Sequence, residues 1–138
     1  MRLDQTIPAM PVRDAAGSVG FYRDRLGFSV LHHDDGFGVL ARDEAVIHVW
    51  EASDEAWRER ADLRERPVCS GAESFLAGTA SCRIRVDDVA TLYEECKQAG
   101  VLHRVSVDGV TETDYGTEEF CTLDQDGNLL TFFRWVTR

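Results

Sequence analysis

The 138-residue chain has no uncharged apolar run approaching the ~18–20 residues that a membrane span needs. Prolines (3) and glycines (11) are few, and at 43% hydrophobic the composition is that of a globular chain, which excludes disorder. None of the four cysteines, Cys69, Cys82, Cys96 and Cys121, belongs to a C-x-x-C pair, so neither a zinc knuckle nor a disulfide framework is supported. Basic residues are scarce: 15 Lys+Arg against 25 Asp+Glu leave a net charge of −10, which argues against nucleic acid as a partner because phosphate neutralisation needs a basic face. The same surplus suits a cationic ligand, and equally it serves solubility alone. An acid, Asp4, stands where a signal peptide would begin its apolar stretch, so the expected compartment is the cytoplasm, with no membrane partner.

What is present is a repeat within a single domain (1–138), which at this length buries about 68% of the surface its unfolded chain exposes. In the first module (5–50), Val12-Arg13-Asp14 leads into a helical stretch ending at Leu26-Gly27-Phe28. In the second (79–138), Val86-Asp87-Asp88 leads into one ending at Ala99-Gly100-Val101. Asp14 and Asp88 are placed to cap helix N-termini, and Gly27 and Gly100 to end the helices in the left-handed region. Val89, Leu92, Tyr93 and Cys96 form an apolar stripe at i, i+3, i+4 and i+7, while Val19, Tyr22 and Leu26 form its counterpart, broadened by Phe21. Strand candidates are Thr6–Val12, Phe28–His32, Gly38–Ala41 and Ala45–Trp50 in the first module, and Ser81–Val86, Leu102–Val107, Glu119–Leu123 and Leu129–Val136 in the second. Each half therefore reads as βαβββ. Neither buries its sheet alone, so an α+β fold is expected in which two βαβββ modules form one curved mixed sheet with the helices outside. Between them, 51–78 is an insert: a charged helix from Asp54 to Arg66 with Arg58 and Asp62 paired, then a loop. It either shapes a site or decorates the surface.

Val12-Arg13-Asp14, Phe21-Tyr22-x-x-x-Leu26-Gly27-Phe28, Val86-Asp87-Asp88, Leu92-Tyr93 and Leu123-Asp124-x-Asp126-Gly127-Asn128 together resemble the vicinal oxygen chelate superfamily, which includes glyoxalase I, extradiol dioxygenases, fosfomycin-resistance thiol transferases and the bleomycin-resistance proteins. The match covers nearly the whole chain apart from the insert. These are signatures of a fold, and activity must be argued from a site. The resemblance implies a divalent metal in the hollow of the sheet in the enzymes, held by His and Glu on the first and fourth strands of each half. The corresponding residues here are Ile7, His48, Ser81 and Thr131. One imidazole and two hydroxyls fall short of the three strong donors a catalytic divalent ion needs, so no metal and no other cofactor is expected.

The superfamily group that lacks the metal is the bleomycin-resistance group, and the stretch from Leu26 to Trp50 and the Tyr115-Gly116 pair resemble it further. The resemblance implies a non-catalytic homodimer that sequesters a cationic glycopeptide antibiotic, with its own metal where it carries one, between aromatic rings in a groove lined by both chains. The candidate ligand-binding residues are His32, Phe37, His48, Trp50, Ser81, Tyr115, Glu119 and Thr131; no catalytic residue is assigned. Val46, His48 and Trp50 alternate onto one strand face, where His48 and Trp50 should project beside Thr131. Phe37 and Tyr115 stand among turn-like and charged residues, unlike core rings, and an exposed ring can stack on a flat heterocycle. Asp34, Asp35, Asp114, Glu118 and Glu119 would meet a cationic tail. Against this, Phe37 and Trp50 also read as core and Tyr115 as a loop anchor, Trp57 as packing for the insert, and Phe133 and Trp135 as sheet or dimer packing. Arg83 and Arg85 share a face with Ser81 and oppose a bound cation. The alternatives are a metal-dependent glyoxalase, lyase or thiol transferase of the same superfamily, and a cofactor-free enzyme using His48 or Tyr115 as acid–base.

Overall fold

Two aspartates and two glycines delimit the helices in the computed structural model, which describes residues 1–52, 59, 61–62, 64–67 and 76–136. Asp14 accepts from the Gly17 N–H (3.2 Å) at the start of α1 (Ala15–Leu26), and Gly27 ends it at φ 74°. Asp88 accepts from both the N–H and the hydroxyl of Thr91 (3.1 and 2.7 Å) at the start of α2 (Val89–Ala99), and Gly100 ends it at φ 73°. Both apolar stripes lie inward: Val19, Tyr22 and Leu26 from α1, and Val89, Tyr93 and Cys96 from α2, are buried in one core.

The strands are β1 (Ala9–Val12), β2 (Ser29–Asp34), β3 (Phe37–Arg42), β4 (Ala45–Glu51), β5 (Ser81–Arg85), β6 (Thr111–Glu112), β7 (Thr117–Leu123) and β8 (Leu129–Trp135). They form two four-stranded sheets, β1-β4-β3-β2 and β5-β8-β7-β6, so the hydrogen bonding does not run through one continuous sheet. In each, the first strand pairs parallel with the fourth and the remaining pairs are antiparallel. The α+β class and the doubled βαβββ order are those expected.

Two details differ from the sequence expectation, and a third lies largely outside the described residues. β1 starts at Ala9, not Thr6, because Pro8 brings no N–H and its carbonyl accepts from the His48 N–H (3.0 Å), which opens the parallel pairing at that point. Leu102–Val107 is not a strand. Leu102 makes a single bridge to Thr122, and Arg104–Ser106 is a 3-10 turn in which the His103 ring accepts from the Val105 N–H (3.0 Å). The short β6 takes the edge position instead. Most of the insert helix, with Arg58 and Trp57, and Cys69 in the loop after it, lie outside the described residues, and so does the expected Arg58–Asp62 pair; within them, Asp62 pairs with Arg66.

The halves are joined through buried polar groups. The Asp124 carboxylate accepts from the Tyr22 hydroxyl (2.8 Å), the Asn128 side-chain amide (2.9 Å) and the N–H groups of Asp126 and Asn128 (2.9 Å each). Asn128, fully buried, also donates to the Pro11 carbonyl (2.9 Å) and accepts from the Ala80 N–H (3.0 Å), so it bridges β1 to the lead-in of β5. Arg42 of β3 adds a two-pronged pair with Glu95 of α2 (2.6 and 3.0 Å) while donating to the Leu26 carbonyl (2.8 Å). Gly38 admits α1 onto β3: a Cβ there would stand 2.6 Å from a Val19 methyl.

Removing a partner from such a network strands the others in the core. Asn128→Ala should destabilise by about 2–4 kcal/mol and Tyr22→Phe by about 1–3 kcal/mol. Urea titrations should show shifted midpoints with unchanged slopes.

Candidate functional site

Each sheet has one face against the helices and one turned away from them, and period-2 alternation decides which residues occupy which. On β4, Ile47 and Val49 are buried on the helix side, leaving Val46, His48 and Trp50 on the free face, as expected. On β3, Gly38 and Leu40 are buried and Phe37 and Val39 lie on the free face. Cross-strand register then sets two rows: Pro11, Trp50, Phe37 and Asp34 in one, and Ala9, His48, Val39 and His32 in the other. The bulge in β2 between Val30 and His32 turns His32 onto this face.

Phe37 is the centre of the resulting cluster. Its ring lies 4.2 Å from Trp50 in a tilted stack, 5.0 Å from His48 edge-on and 5.7 Å from His32. All three partners are candidates read from the sequence, and the fold brings them together. Phe37, His48 and Trp50 are half-buried, so none is a core residue: their rings pack on one another, on the face away from α1 and α2. His32 bonds the Asp34 carboxylate at 3.0 Å. That bond and a second from the Gly36 N–H hold Asp34 below the ordinary aspartate range. The acid therefore stays ionised at the rim of the aromatic platform.

The other four candidates lie on the second sheet, and Thr131 is not beside His48 and Trp50. It faces Arg83 on β5 and Cys121 on β7, with its hydroxyl 3.5 Å from the Cys121 sulfur. Ser81 is exposed at the start of β5, opposite Leu129. Tyr115 precedes β7 and donates its hydroxyl to Glu119 (3.1 Å), which also accepts from the Thr117 hydroxyl (2.8 Å). Glu118 alternates to the opposite face and pairs with Arg134 (2.8 Å), so it leaves the set of acids around the rings.

Arg83, read from the sequence as an adverse charge, is neutralised here. It pairs with Glu119 at 2.6 Å and lies over the Phe133 ring at 4.8 Å and the Tyr115 ring at 5.9 Å. The bond from Arg83, ahead of those from Thr117 and Tyr115, holds the Glu119 carboxyl below the ordinary glutamate range. Phe133 and Trp135 share this face in edge-on contact at 5.5 Å. A cleft of about 540 Å³ adjoins both sheets, lined by Asp4, Ile7, Glu44, Val46, Arg83 and Arg85 among others.

A resident catalytic metal does not fit these residues. Ile7 has no donor atom, His48 stands opposite Ala9, and Thr131 stands opposite Arg83. Glu119, the carboxylate on Thr131's face nearest to hand, is already held by a guanidinium and two hydroxyls. Among the described residues no three His, Cys, Asp or Glu side chains group to hold an ion, and no helix is long and apolar enough to cross a membrane.

The chain matches the family model described as the glyoxalase/bleomycin resistance protein/dioxygenase superfamily over residues 2–132. It is 48% identical to a bleomycin resistance protein of Geobacillus stearothermophilus over 132 residues, covering 96% of this chain and 97% of that one. Among solved structures it is similar to a bleomycin resistance determinant encoded on the transposon Tn5, at TM-score 0.67 and 25% identity over 96% of this chain and 98% of that one. It is also similar to a bleomycin-binding protein complexed with bleomycin, at TM-score 0.65 and 25% identity, with the same coverage of each chain. With the doubled βαβββ order and the motifs described above, these matches establish that the chain belongs to the glyoxalase/bleomycin resistance protein/dioxygenase superfamily.

Proposed function

We propose that this protein binds and sequesters a bleomycin-type glycopeptide antibiotic without changing it chemically. The observation that carries the reading is the Phe37 platform: a ring stacked on Trp50 and flanked by His48 and His32, on the sheet face turned away from α1 and α2. A flat heteroaromatic group laid on such rings gains apolar burial and about 0.5–1.5 kcal/mol per ring pair besides. Asp34 at the platform edge and Glu119 on the second sheet supply negative charge for a cationic tail. The extensive identity to proteins named for bleomycin resistance supports the same reading. The absence of a fitting donor set for a resident metal supports binding over catalysis, and a ligand that chelates a metal would bring it along.

Among the described residues neither α1 nor α2 covers the free face of its sheet, and Trp135, 57% exposed, lies at the end of the second. We propose that a second copy covers these faces, so that each groove takes rings from both chains of a cytoplasmic homodimer. Sedimentation should then report a species of twice the 15.5 kDa chain, and Trp135→Ala should shift it toward the monomer.

Calorimetry with copper-bleomycin at low salt should show saturable binding that weakens as ionic strength rises from about 0.05 to about 0.5 M, because part of the attraction is screened charge. Absence of heat at low salt would reject the proposal. Phe37→Ala should weaken binding by about 1–2 kcal/mol, a factor of roughly 5–30, while leaving the urea midpoint nearly unchanged because the ring lies outside the core.

A further inference from the structure

Arg83 and Glu119 differ in how freely they can move. The Glu119 side chain is 15% exposed and is fixed by the Thr117 hydroxyl (2.8 Å) and the Tyr115 hydroxyl (3.1 Å), neither of which needs the arginine. The Arg83 side chain is 44% exposed and sits on a flexible stem. Its guanidinium lies against the carboxylate on one side (2.6 and 3.4 Å) and over the Phe133 ring on another (4.8 Å), with the Tyr115 ring at 5.9 Å and Trp135 extending the aromatic wall. A fixed carboxylate inside a partial aromatic cage is a receptor for a guanidinium or ammonium group. Here the chain fills it with a group of its own. Arg83 also lines the neighbouring cleft together with Asp4 and Glu44, so two carboxylates stand where a displaced arginine would be received.

We propose that the Glu119–Phe133–Tyr115 box is a cation subsite that the protein holds closed with Arg83, and that a ligand bearing a guanidinium or ammonium group enters it by displacing Arg83 toward the cleft. The subsite deepens the sequestration reading, since it rests on the free face of the second sheet being part of the ligand surface. Its consequence is selectivity. A free amine competes against a tethered arginine and loses, whereas a ligand already anchored through its rings presents its cation at high effective concentration and competes on equal terms.

The test uses the full chain and agmatine, a small molecule with a guanidinium at one end and an ammonium at the other, with the uncharged butylurea as control. Arg83→Met keeps an apolar stem over Phe133 and removes the resident cation. It should bind agmatine at least about tenfold more tightly than the parent, one charged contact no longer contested, with butylurea unaffected. Arg134→Met removes the same charge from the opposite face, where Arg134 pairs with Glu118, and should leave agmatine binding unchanged. Arg83→Met combined with Glu119→Gln should abolish the gain. Equal or weaker binding by Arg83→Met, or the same gain in Arg134→Met, overturns the proposal; Arg83→Gln provides the same reading should the methionine variant fold poorly. A copper-bleomycin titration of the parent protein separates the two ideas. Loss of bleomycin binding with the agmatine gain intact sinks sequestration alone, and retained bleomycin binding without the gain sinks the closed subsite alone.

Discussion

The orientation of the two halves depends on one buried carboxylate. Asp124 is 5% exposed, and an ion in that position is tolerable only when its oxygens are fully bonded. Its donors come from α1, from its own turn and from Asn128, whose other bonds reach Pro11 and Ala80. The requirement couples segments more than 100 residues apart in the chain and leaves little tolerance for sliding one module against the other. The Asp-x-Asp-Gly-Asn motif is therefore an architectural device: it specifies where the sheets lie and carries no chemistry of its own.

That arrangement spends the helices on one side of each sheet. Ile47, Val49, Phe120 and Phe132 disappear beneath them, and the alternate residues, Phe37, His48, Trp50, Arg83, Glu119 and Phe133, are left on the faces turned away from both helices. Gly38 shows how tightly the two demands are linked. Its missing side chain lets Val19 close onto β3, and the residue immediately before it is Phe37, the centre of the platform on the other face.

Local signals were readable from the chain. Caps, the left-handed glycines and the alternation in β4 depend on neighbours within a few residues, so spacing alone reveals them. The four aromatic candidates of the first sheet were likewise legible, because three come from one hairpin whose register the alternation dictates. The failures involve partners distant in sequence or polar atoms that capture the backbone. Leu102–Val107 has the apolar alternation of a strand, yet the His103 ring takes the Val105 N–H and the Ser106 hydroxyl takes the Cys121 N–H (2.8 Å), and the segment turns. Arg83 looked adverse because Glu119, 36 positions away, becomes its neighbour only when β5 and β7 flank β8. Placing Thr131 beside His48 failed for the complementary reason: equivalent positions in two repeats resemble each other in sequence while belonging to separate sheets.

The electrostatics of the free faces also revise what net charge suggested. A total of −10 describes the whole surface, most of it solvated and screened within about 8–10 Å at physiological salt. Discrimination between cations comes from where individual carboxylates are fixed. Asp34 is exposed and bonded to a histidine, so it offers a long-range attraction with little geometric demand. Glu119 is enclosed, held by two hydroxyls and set beneath rings, so it demands a cation of defined shape and position. On the proposed reading the two sheets divide recognition between them: the first offers a broad aromatic platform with a loosely held acid, the second a narrow charged box. A ligand that satisfies both must join a flat ring system to a cation at a separation set by the distance between the faces, a stricter requirement than acidity or aromaticity alone could impose.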